Sequence, residues 1–262
     1  MFALITIHKR HLRFFNNLAT QISIVMSTFK LQENRIPALA WATTGLFMAA
    51  SAMLLHLICW GYFSFGKQPF RQVGGKVMLL SIMLVFAAMF AFNVLAQELG
   101  LPDELSEVIK QVSNNVLGCI TIAVLAPILE EVLFRGAIQG YLMRKYNPTV
   151  GIVVAALVFG LIHMNPIQIF YAFCLGLVFG WMYYRTRSLM PVIIGHVLNN
   201  SLAVVTMIMG AEEEDAVMSP AEKIAIIGSS LLAALALMHL INRMQPAVPV
   251  PWRDVEDTET QE

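Results

Sequence analysis

Apolar stretches long enough to cross a lipid bilayer recur along this chain, and they constrain its fold more than any other feature. Of the 262 residues, 58% are hydrophobic and only 13% are charged, whereas about a quarter of the residues in soluble proteins are charged. A helix needs about 20 mostly apolar residues to cross the hydrocarbon core. The pattern therefore predicts an all-α, polytopic transmembrane helical bundle of about seven or eight spans. Seven spans are placed at 38–64, 77–97, 115–142, 149–164, 167–184, 189–209 and 223–241.

The predicted bundle occupies residues 37–244, and the two ends of the chain have a different character. Residues 1–36 combine basic and scattered apolar side chains, which is typical of a helix lying on the membrane surface; a natural start at Met26 is an alternative. Residues 245–262 are rich in proline and then in acidic residues. Such a composition cannot bury enough apolar surface to fold, so we expect a disordered cytoplasmic tail.

Lysine and arginine fall in alternate loops, which predicts the orientation of the bundle. Cytoplasmic loops of membrane proteins carry an excess of these residues. The pattern places the C-terminus in the cytoplasm, and we expect a multi-pass protein of a bacterial plasma membrane. Seven spans would put the basic N-terminus outside, so either a re-entrant segment exists or one span is miscounted. The loop residues are Lys67, Arg71, Lys76, Arg144, Lys145, Arg185, Arg187 and Arg243.

Two further patterns concern packing. Acidic residues alternate with apolar ones between Leu101 and Ile109, which predicts a short amphipathic connector helix at the membrane surface. Gly136 with Gly140, and Gly176 with Gly180, form pairs of small residues four apart, and such pairs permit close helix approach. Ordinary bundle packing explains both pairs of glycines.

Several function classes are disfavoured by composition. The net charge is zero and no dense basic block is present, so we expect no nucleic-acid partner. The three cysteines lie in apolar segments at unrelated spacings, which indicates small hydrophobic residues in helices and not a disulfide framework or a metal cluster. His56 and His239 have no carboxylate or amide partner nearby in the sequence and are interpreted as structural.

Glu130 and Glu131 lie side by side inside the apolar stretch from Ile120 to Leu142. An ionised carboxylate in hydrocarbon is costly, so an intramembrane acid is a candidate for a functional site. Neighbouring helical residues point about 100° apart, so the two glutamates have different tasks. Arg135 follows Glu131 by four residues and is predicted to be its counter-ion. Glu130 is thereby left to face a cavity as a general base or acid.

Two other predicted spans supply polar side chains that complete a hydrolytic set. His196 and Asn200 are four residues apart and share one helix face, where they could stabilise an oxyanion. His163 could orient or share the proton of a water molecule held by Glu130. Pro127 frees a backbone carbonyl one turn before the glutamates, which fits a polar cavity at that depth. Together these groups are the parts that water-mediated peptide hydrolysis requires.

The segments EExxxR at 130–135, FxxxH at 159–163 and HxxxN at 196–200 resemble the three motifs of the CAAX protease and bacteriocin-processing family, which includes the type II CAAX prenyl endopeptidase and abortive-infection-like proteins. The resemblance covers about residues 100–210. It implies a membrane bundle with a conical cavity open to the cytoplasm. Glu130 would be the catalytic glutamate assisted by His163, His196 and Asn200 the oxyanion pair, and Glu131 with Arg135 the supporting part of the first motif. The substrate would be a peptide or lipidated protein.

A metal and two other function classes are left open. A His-His-Glu set could hold Zn²⁺ with water as the fourth ligand, but no HExxH helix is present, and we favour metal-free glutamate chemistry. One alternative is a small proton-coupled transporter that uses the glutamates and histidines as a relay; the absence of a repeat matching the Pro127 break counts against it. The other is a non-catalytic membrane immunity protein in which the motif residues are structural.

Overall fold

The computed structural model describes residues 70–113, 116–209 and 218–245, and every regular element within these ranges is helical. Predictions for residues 1–36, for the span at 38–64, for His56 and for the tail beyond Gln245 lie outside them. Two π-helical segments, π1 (Thr121–Leu125) and π2 (Val132–Gln139), interrupt the run from 116 to 145. The α-helices are α1 (Gly75–Glu98), α2 (Ser106–Ser113), α3 (Val116–Ile120), α4 (Ala126–Glu131), α5 (Gly140–Lys145), α6 (Pro148–Leu161), α7 (Pro166–Thr186), α8 (Met190–Ile208) and α9 (Pro220–Met244).

A helical membrane bundle is confirmed, whereas the predicted count of seven or eight spans is not. Within the described residues, four helices are long and apolar enough to cross a bilayer, namely α1, α7, α8 and α9. They match four of the predicted spans. The predicted span at 149–164 corresponds to the shorter apolar helix α6. The predicted span at 115–142 corresponds to the run from 116 to 145, in which α-helical and π-helical turns alternate.

Local sequence explains where the helices begin. Proline occupies the first turn of α6, α7, α8 and α9, where its missing N–H costs no intrahelical bond. The side chain of Asn147 accepts a hydrogen bond from the backbone N–H of Val150 and so caps α6. Ser219 and Glu222 form a reciprocal capping box at the start of α9.

The predicted connector helix is present as α2, which begins at Ser106 and not near Leu101. Pro102 and Asp103 precede it, and the Asp103 carboxylate accepts the Ser106 N–H at 3.1 Å. Asp103 also accepts a hydrogen bond from the buried amide of Asn165 at 2.7 Å. The connector is therefore tied to the turn between α6 and α7.

Small residues let α6 and α7 approach closely. A methyl group added at Gly176 would lie 3.2 Å from the Ala156 side chain and 3.2 Å from the Phe159 ring. At Gly180 it would lie 3.0 Å from the Gln139 side chain. The predicted close approach is thus confirmed for Gly176 and Gly180. At Gly140 the nearest atom would lie at 3.6 Å, an ordinary contact.

Contacts between loops and helix ends show which loops meet at each end of the bundle. At one end, the Ser188 hydroxyl donates to the Arg71 carbonyl at 2.7 Å, and Arg185 donates to the Gln245 carbonyl at 2.6 Å. At the other end, Lys223 pairs with Glu98 at 2.6 Å. Loops that alternate in sequence therefore gather at the same end, as the distribution of lysine and arginine predicted.

Candidate active site

The ion pair between Glu131 and Arg135 is confirmed by the structure. An Arg135 N–H donates to Glu131 Oε1 at 2.9 Å, and both side chains are essentially inaccessible to solvent. The guanidinium also lies 4.4 Å from the centroid of the Phe159 ring and donates to the Gly176 carbonyl at 3.4 Å. Aromatic faces and a backbone carbonyl thus replace the water that this buried cation lacks.

Glu131 has a second partner that the sequence did not reveal. His196 Nδ1 lies 2.7 Å from the same Oε1 atom that receives Arg135. Because the arginine-paired carboxylate acts as the acceptor, Nδ1 carries a hydrogen and donates it. This bond fixes the orientation of the ring, and Nε2 is therefore the atom that can face another group.

Glu130 is the group that Nε2 faces. Its Oε2 atom lies 3.7 Å from His196 Nε2, and its side chain is 27% exposed, whereas that of Glu131 is 0% exposed. The predicted division of tasks between the glutamates agrees with this difference. The imidazole of His196 lies between two carboxylates, one buried and paired with arginine, the other accessible.

His163 lies in the turn just beyond α6, not within a helix as predicted. Met164 adopts a left-handed conformation with φ 51°, and Asn165 is extended before Pro166, as residues preceding proline usually are. His163 Nδ1 lies 2.8 Å from the Phe159 carbonyl. A carbonyl can only accept, so Nδ1 carries a hydrogen, and in the neutral ring Nε2 is then an acceptor.

The Phe159 ring contacts both histidines. Its ring meets the His163 ring edge-on at 5.1 Å and 83°, and the His196 ring at 5.8 Å and 87°. The same ring lies against the Arg135 guanidinium. The sequence analysis identified Phe159 only as part of a motif, yet its ring contacts the side chains of Arg135, His163 and His196. The sequence signal that could have identified this contact is an aromatic residue four positions before a histidine.

Asn200 lies on α8 with His196, and its amide reaches the run from 116 to 145. The Nδ2 group donates to the Ile122 carbonyl at 3.0 Å. That carbonyl is free because the Ala126 N–H bonds to Thr121 in the π-helical turn, while Pro127 has no N–H to offer. A carbonyl is free at the Pro127 break as predicted, but it belongs to Ile122, about two turns before Glu130 and not one. Asn200 is its partner.

Asn199 and Tyr171 extend this contact, and sequence reasoning did not assign either of them to the site. The Asn199 amide donates to Asn200 Oδ1 at 2.9 Å. The Tyr171 hydroxyl of α7 bonds to Asn199 Oδ1 at 2.6 Å.

His239, interpreted above as structural, lies exposed on α9, which packs against α1.

The fit of a metal ion can be tested on these side chains. In the part of the chain that the structure describes, no group of three or more His, Cys, Asp or Glu side chains could hold a metal ion. Glu131 Oε1 is already engaged by Arg135 and by His196 Nδ1. A zinc ligand set of two histidines and a glutamate does not fit this arrangement.

Comparisons with known proteins agree with the motifs. Residues 112–202 match the family model described as "Rce1-like: Type II CAAX prenyl endopeptidase Rce1-like". A Bacillus subtilis (strain 168) protein named "Putative membrane peptidase YdiL" is 27% identical over 138 residues, which cover 50% of this chain and 57% of that relative. The comparison with solved structures found no match. The matched segment contains all three motifs and therefore supports the resemblance on which they were identified.

Proposed function

We propose that this chain is a member of the CAAX protease and bacteriocin-processing family and an intramembrane endopeptidase that hydrolyses peptide bonds with water activated by Glu130. The observation that carries the proposal is the position of His196 between two carboxylates. Its Nδ1 is bonded to the buried Glu131, and its Nε2 faces the accessible Glu130 at 3.7 Å. A water molecule bound by Glu130 would lie beside an imidazole whose orientation is already fixed.

In the proposed reaction, Glu130 accepts a proton from water while the water oxygen attacks the carbonyl carbon of the scissile peptide bond. The carbonyl oxygen becomes an oxyanion, and Asn200 and His196 are the proposed donors. Glu130 then passes the proton to the leaving nitrogen as the C–N bond breaks. His163, with an acceptor nitrogen and a ring held on Phe159, would assist in orienting the water.

His196 can donate from Nε2 only when both of its ring nitrogens carry hydrogen. Glu131 stabilises that cation because its carboxylate lies 2.7 Å from Nδ1. Arg135 balances the charge of Glu131 in turn. In this proposal the Glu131–Arg135 pair acts through His196. That role explains why a buried ion pair, whose desolvation is costly, lies next to the accessible Glu130.

The proposed substrate is a membrane-associated or lipidated polypeptide. A site whose residues come from apolar helices is reached most easily by a chain that is itself held at the membrane. The family model is described as a type II CAAX prenyl endopeptidase, and the Bacillus relative is named "Putative membrane peptidase YdiL". The first description supports a lipidated substrate for this chain, and the second supports a peptidase that acts at the membrane.

The test compares the new protein termini in membranes of cells that produce the wild type, Glu130→Gln or Glu107→Gln. Glu107 is an exposed glutamate on α2 and serves as the matched control. We expect Glu130→Gln to lose the cleavage products, because removal of a general base lowers the rate by about 10²–10⁴-fold. Glu107→Gln should retain them. Unchanged products in the Glu130→Gln membranes would refute the proposed role.

Purified wild-type protein tests the role of a metal. The proposed reaction routes no step through an ion, since the site residues do not provide three ligands. We therefore expect activity on a farnesylated CAAX peptide to survive treatment with a chelator. Activity that is lost and returns only with Zn²⁺ would show that a metal takes part.

A further inference from the structure

Three polar side chains on α7 and α8 form a hydrogen-bonded chain that ends at the Ile122 carbonyl. Tyr171 of α7 bonds to Asn199 at 2.6 Å, Asn199 bonds to Asn200 at 2.9 Å, and Asn200 bonds to the Ile122 carbonyl at 3.0 Å. Asn199 is buried and Tyr171 is half-buried. None of these bonds follows from the three motifs, because only Asn200 belongs to one.

The direction of every bond in this chain is determined by its last member. A backbone carbonyl can only accept, so the Nδ2 side of the Asn200 amide must face Ile122. Asn200 Oδ1 then faces Asn199, which must donate from Nδ2. Asn199 Oδ1 is left to accept from the Tyr171 hydroxyl. The amide orientations thus rest on hydrogen-bonding chemistry.

The Ile122 carbonyl fixes the orientation of the Asn200 amide because no backbone N–H of its own helix donates to it. In the π-helical turn the Ala126 N–H bonds to Thr121, and the following residue, Pro127, lacks an N–H. A buried carbonyl without a partner is costly. The hydrogen bond to this carbonyl therefore stabilises the observed position of the Asn200 side chain.

We propose that Tyr171 and Asn199 are positioning residues that hold Asn200 with its second amide N–H directed to the oxyanion. One N–H of Asn200 is used by Ile122, and its oxygen is used by Asn199. Fixing both sides of the amide leaves one N–H in a defined direction before substrate arrives. A donor oriented in advance is worth more than one that must reorient during the reaction. This inference rests on the proposed function.

A purely structural role makes a different prediction. Tyr171 and Asn199 also join α7 to α8, so their bond could serve only to hold the helices together. In that case its loss would lower stability, and its effect on catalysis would not depend on Asn200. A positioning role requires that the effect disappears when Asn200 has no amide.

The experiment is a double-mutant cycle in full-length protein in lipid nanodiscs, with a fluorogenic farnesylated CAAX peptide as probe. We expect Tyr171→Phe to lower kcat about three- to tenfold, the range that one net hydrogen bond provides, with KM nearly unchanged. In the Asn200→Ala background, Tyr171→Phe should have no further effect. The matched control is Tyr184→Phe, since Tyr184 is half-buried near the other end of α7, where its ring packs against Arg187. An equal loss in both backgrounds, or no loss in the wild-type background, would overturn the proposal.

A second measurement does not need turnover. In protein labelled with ¹⁵N asparagine, Tyr171→Phe should shift the side-chain amide signals of both Asn199 and Asn200, and Tyr184→Phe should shift neither. A shift confined to Asn199 would overturn the proposal even if the probe is not cleaved. Failure of the proposed function gives a different result, namely a Glu130→Gln protein that cleaves the probe at the wild-type rate.

Discussion

At the scale of single residues, one oxygen atom of Glu131 connects the two halves of the site. Oε1 receives the Arg135 guanidinium at 2.9 Å and His196 Nδ1 at 2.7 Å. No hydrogen-bond partner is found for Oε2 among the described residues. The negative charge of this buried carboxylate is therefore stabilised by two neighbours. If either one is lost, the other compensates the charge only in part.

Arg135→Leu should lower the free energy of unfolding by about 3–5 kcal/mol, because it leaves Glu131 as an uncompensated buried charge. The measurement is denaturation in mixed micelles. Arg243→Leu, at an exposed position near the end of α9, is the matched control and should change stability little. The double variant Glu131→Gln with Arg135→Leu should recover most of the loss, since neither charge then remains. A double variant as unstable as Arg135→Leu would show that lost packing dominates.

The two contacts of Glu131 differ in how far sequence can predict them. The pair with Arg135 is local, since residues four apart on a helix meet, and it was predicted correctly. The bond to His196 joins positions 65 residues apart. The order of the motifs indicates that two helices contribute to one site. It does not determine which imidazole nitrogen bonds to which carboxylate oxygen. The assignment of Glu131 to Arg135 alone was therefore incomplete.

At the scale of elements, the turn between α6 and α7 carries His163. The predicted span ran on to residue 164, but α6 ends at Leu161. Pro166 was visible in the sequence, and the residue before a proline avoids helical geometry. The buried amide of Asn165 then fixes the turn by bonding to Asp103 and to the Glu104 N–H. These contacts are long-range, and sequence periodicity could not reveal them.

The π-helical turns of the run from 116 to 145 are the other feature that periodicity missed. A hydrophobic pattern distinguishes a helix from a strand, but it does not reveal a local change from α- to π-helical bonding. Pro127 marked the place where one carbonyl would be free. It did not identify Asn200 of a distant helix as the donor that satisfies this carbonyl.

Gly160→Ala should separate α6 from α7 next to His163. The added methyl would lie 2.8 Å from the Ile169 carbonyl oxygen and 3.2 Å from the Phe173 backbone nitrogen. Backbone atoms cannot rotate away, so overpacking of about 1–3 kcal/mol should exceed the gain of about 1 kcal/mol in helix propensity. We expect a lower thermal midpoint and lower kcat for the farnesylated peptide.

Gly228→Ala is the matched control for this change. Gly228 lies within α9, and a methyl group there would meet nothing within 4 Å. The same substitution should therefore raise the thermal midpoint slightly or leave it unchanged. If Gly160→Ala and Gly228→Ala shift the midpoint equally and in the same direction, the contact between α6 and α7 is not as tight as the structure shows.

At the scale of the whole molecule, arginine is concentrated at one end of the bundle, whereas acidic residues lie at the other, where Lys223 pairs with Glu98. Arg71, Arg185 and Arg187 lie at the end where Ser188 bonds to the backbone of Arg71. Glu98, Asp103 and Glu104 lie at the opposite end, together with Asn165. The positive-inside tendency places the first end in the cytoplasm. We propose this orientation, with the end of α9 on the cytoplasmic side.

Cysteine labelling tests the orientation. In a variant whose native cysteines are replaced by alanine, Lys145→Cys and Glu104→Cys each introduce one thiol at an exposed position. Lys145 is the last residue of α5, and Glu104 lies just before α2. A membrane-impermeant maleimide added to intact cells should label Glu104→Cys and leave Lys145→Cys unlabelled, because only the former faces outward. Permeabilised cells should label both, which shows that each thiol is reactive. The reverse pattern would invert the bundle, and labelling of both positions in intact cells would mean that they do not lie on opposite sides of the membrane.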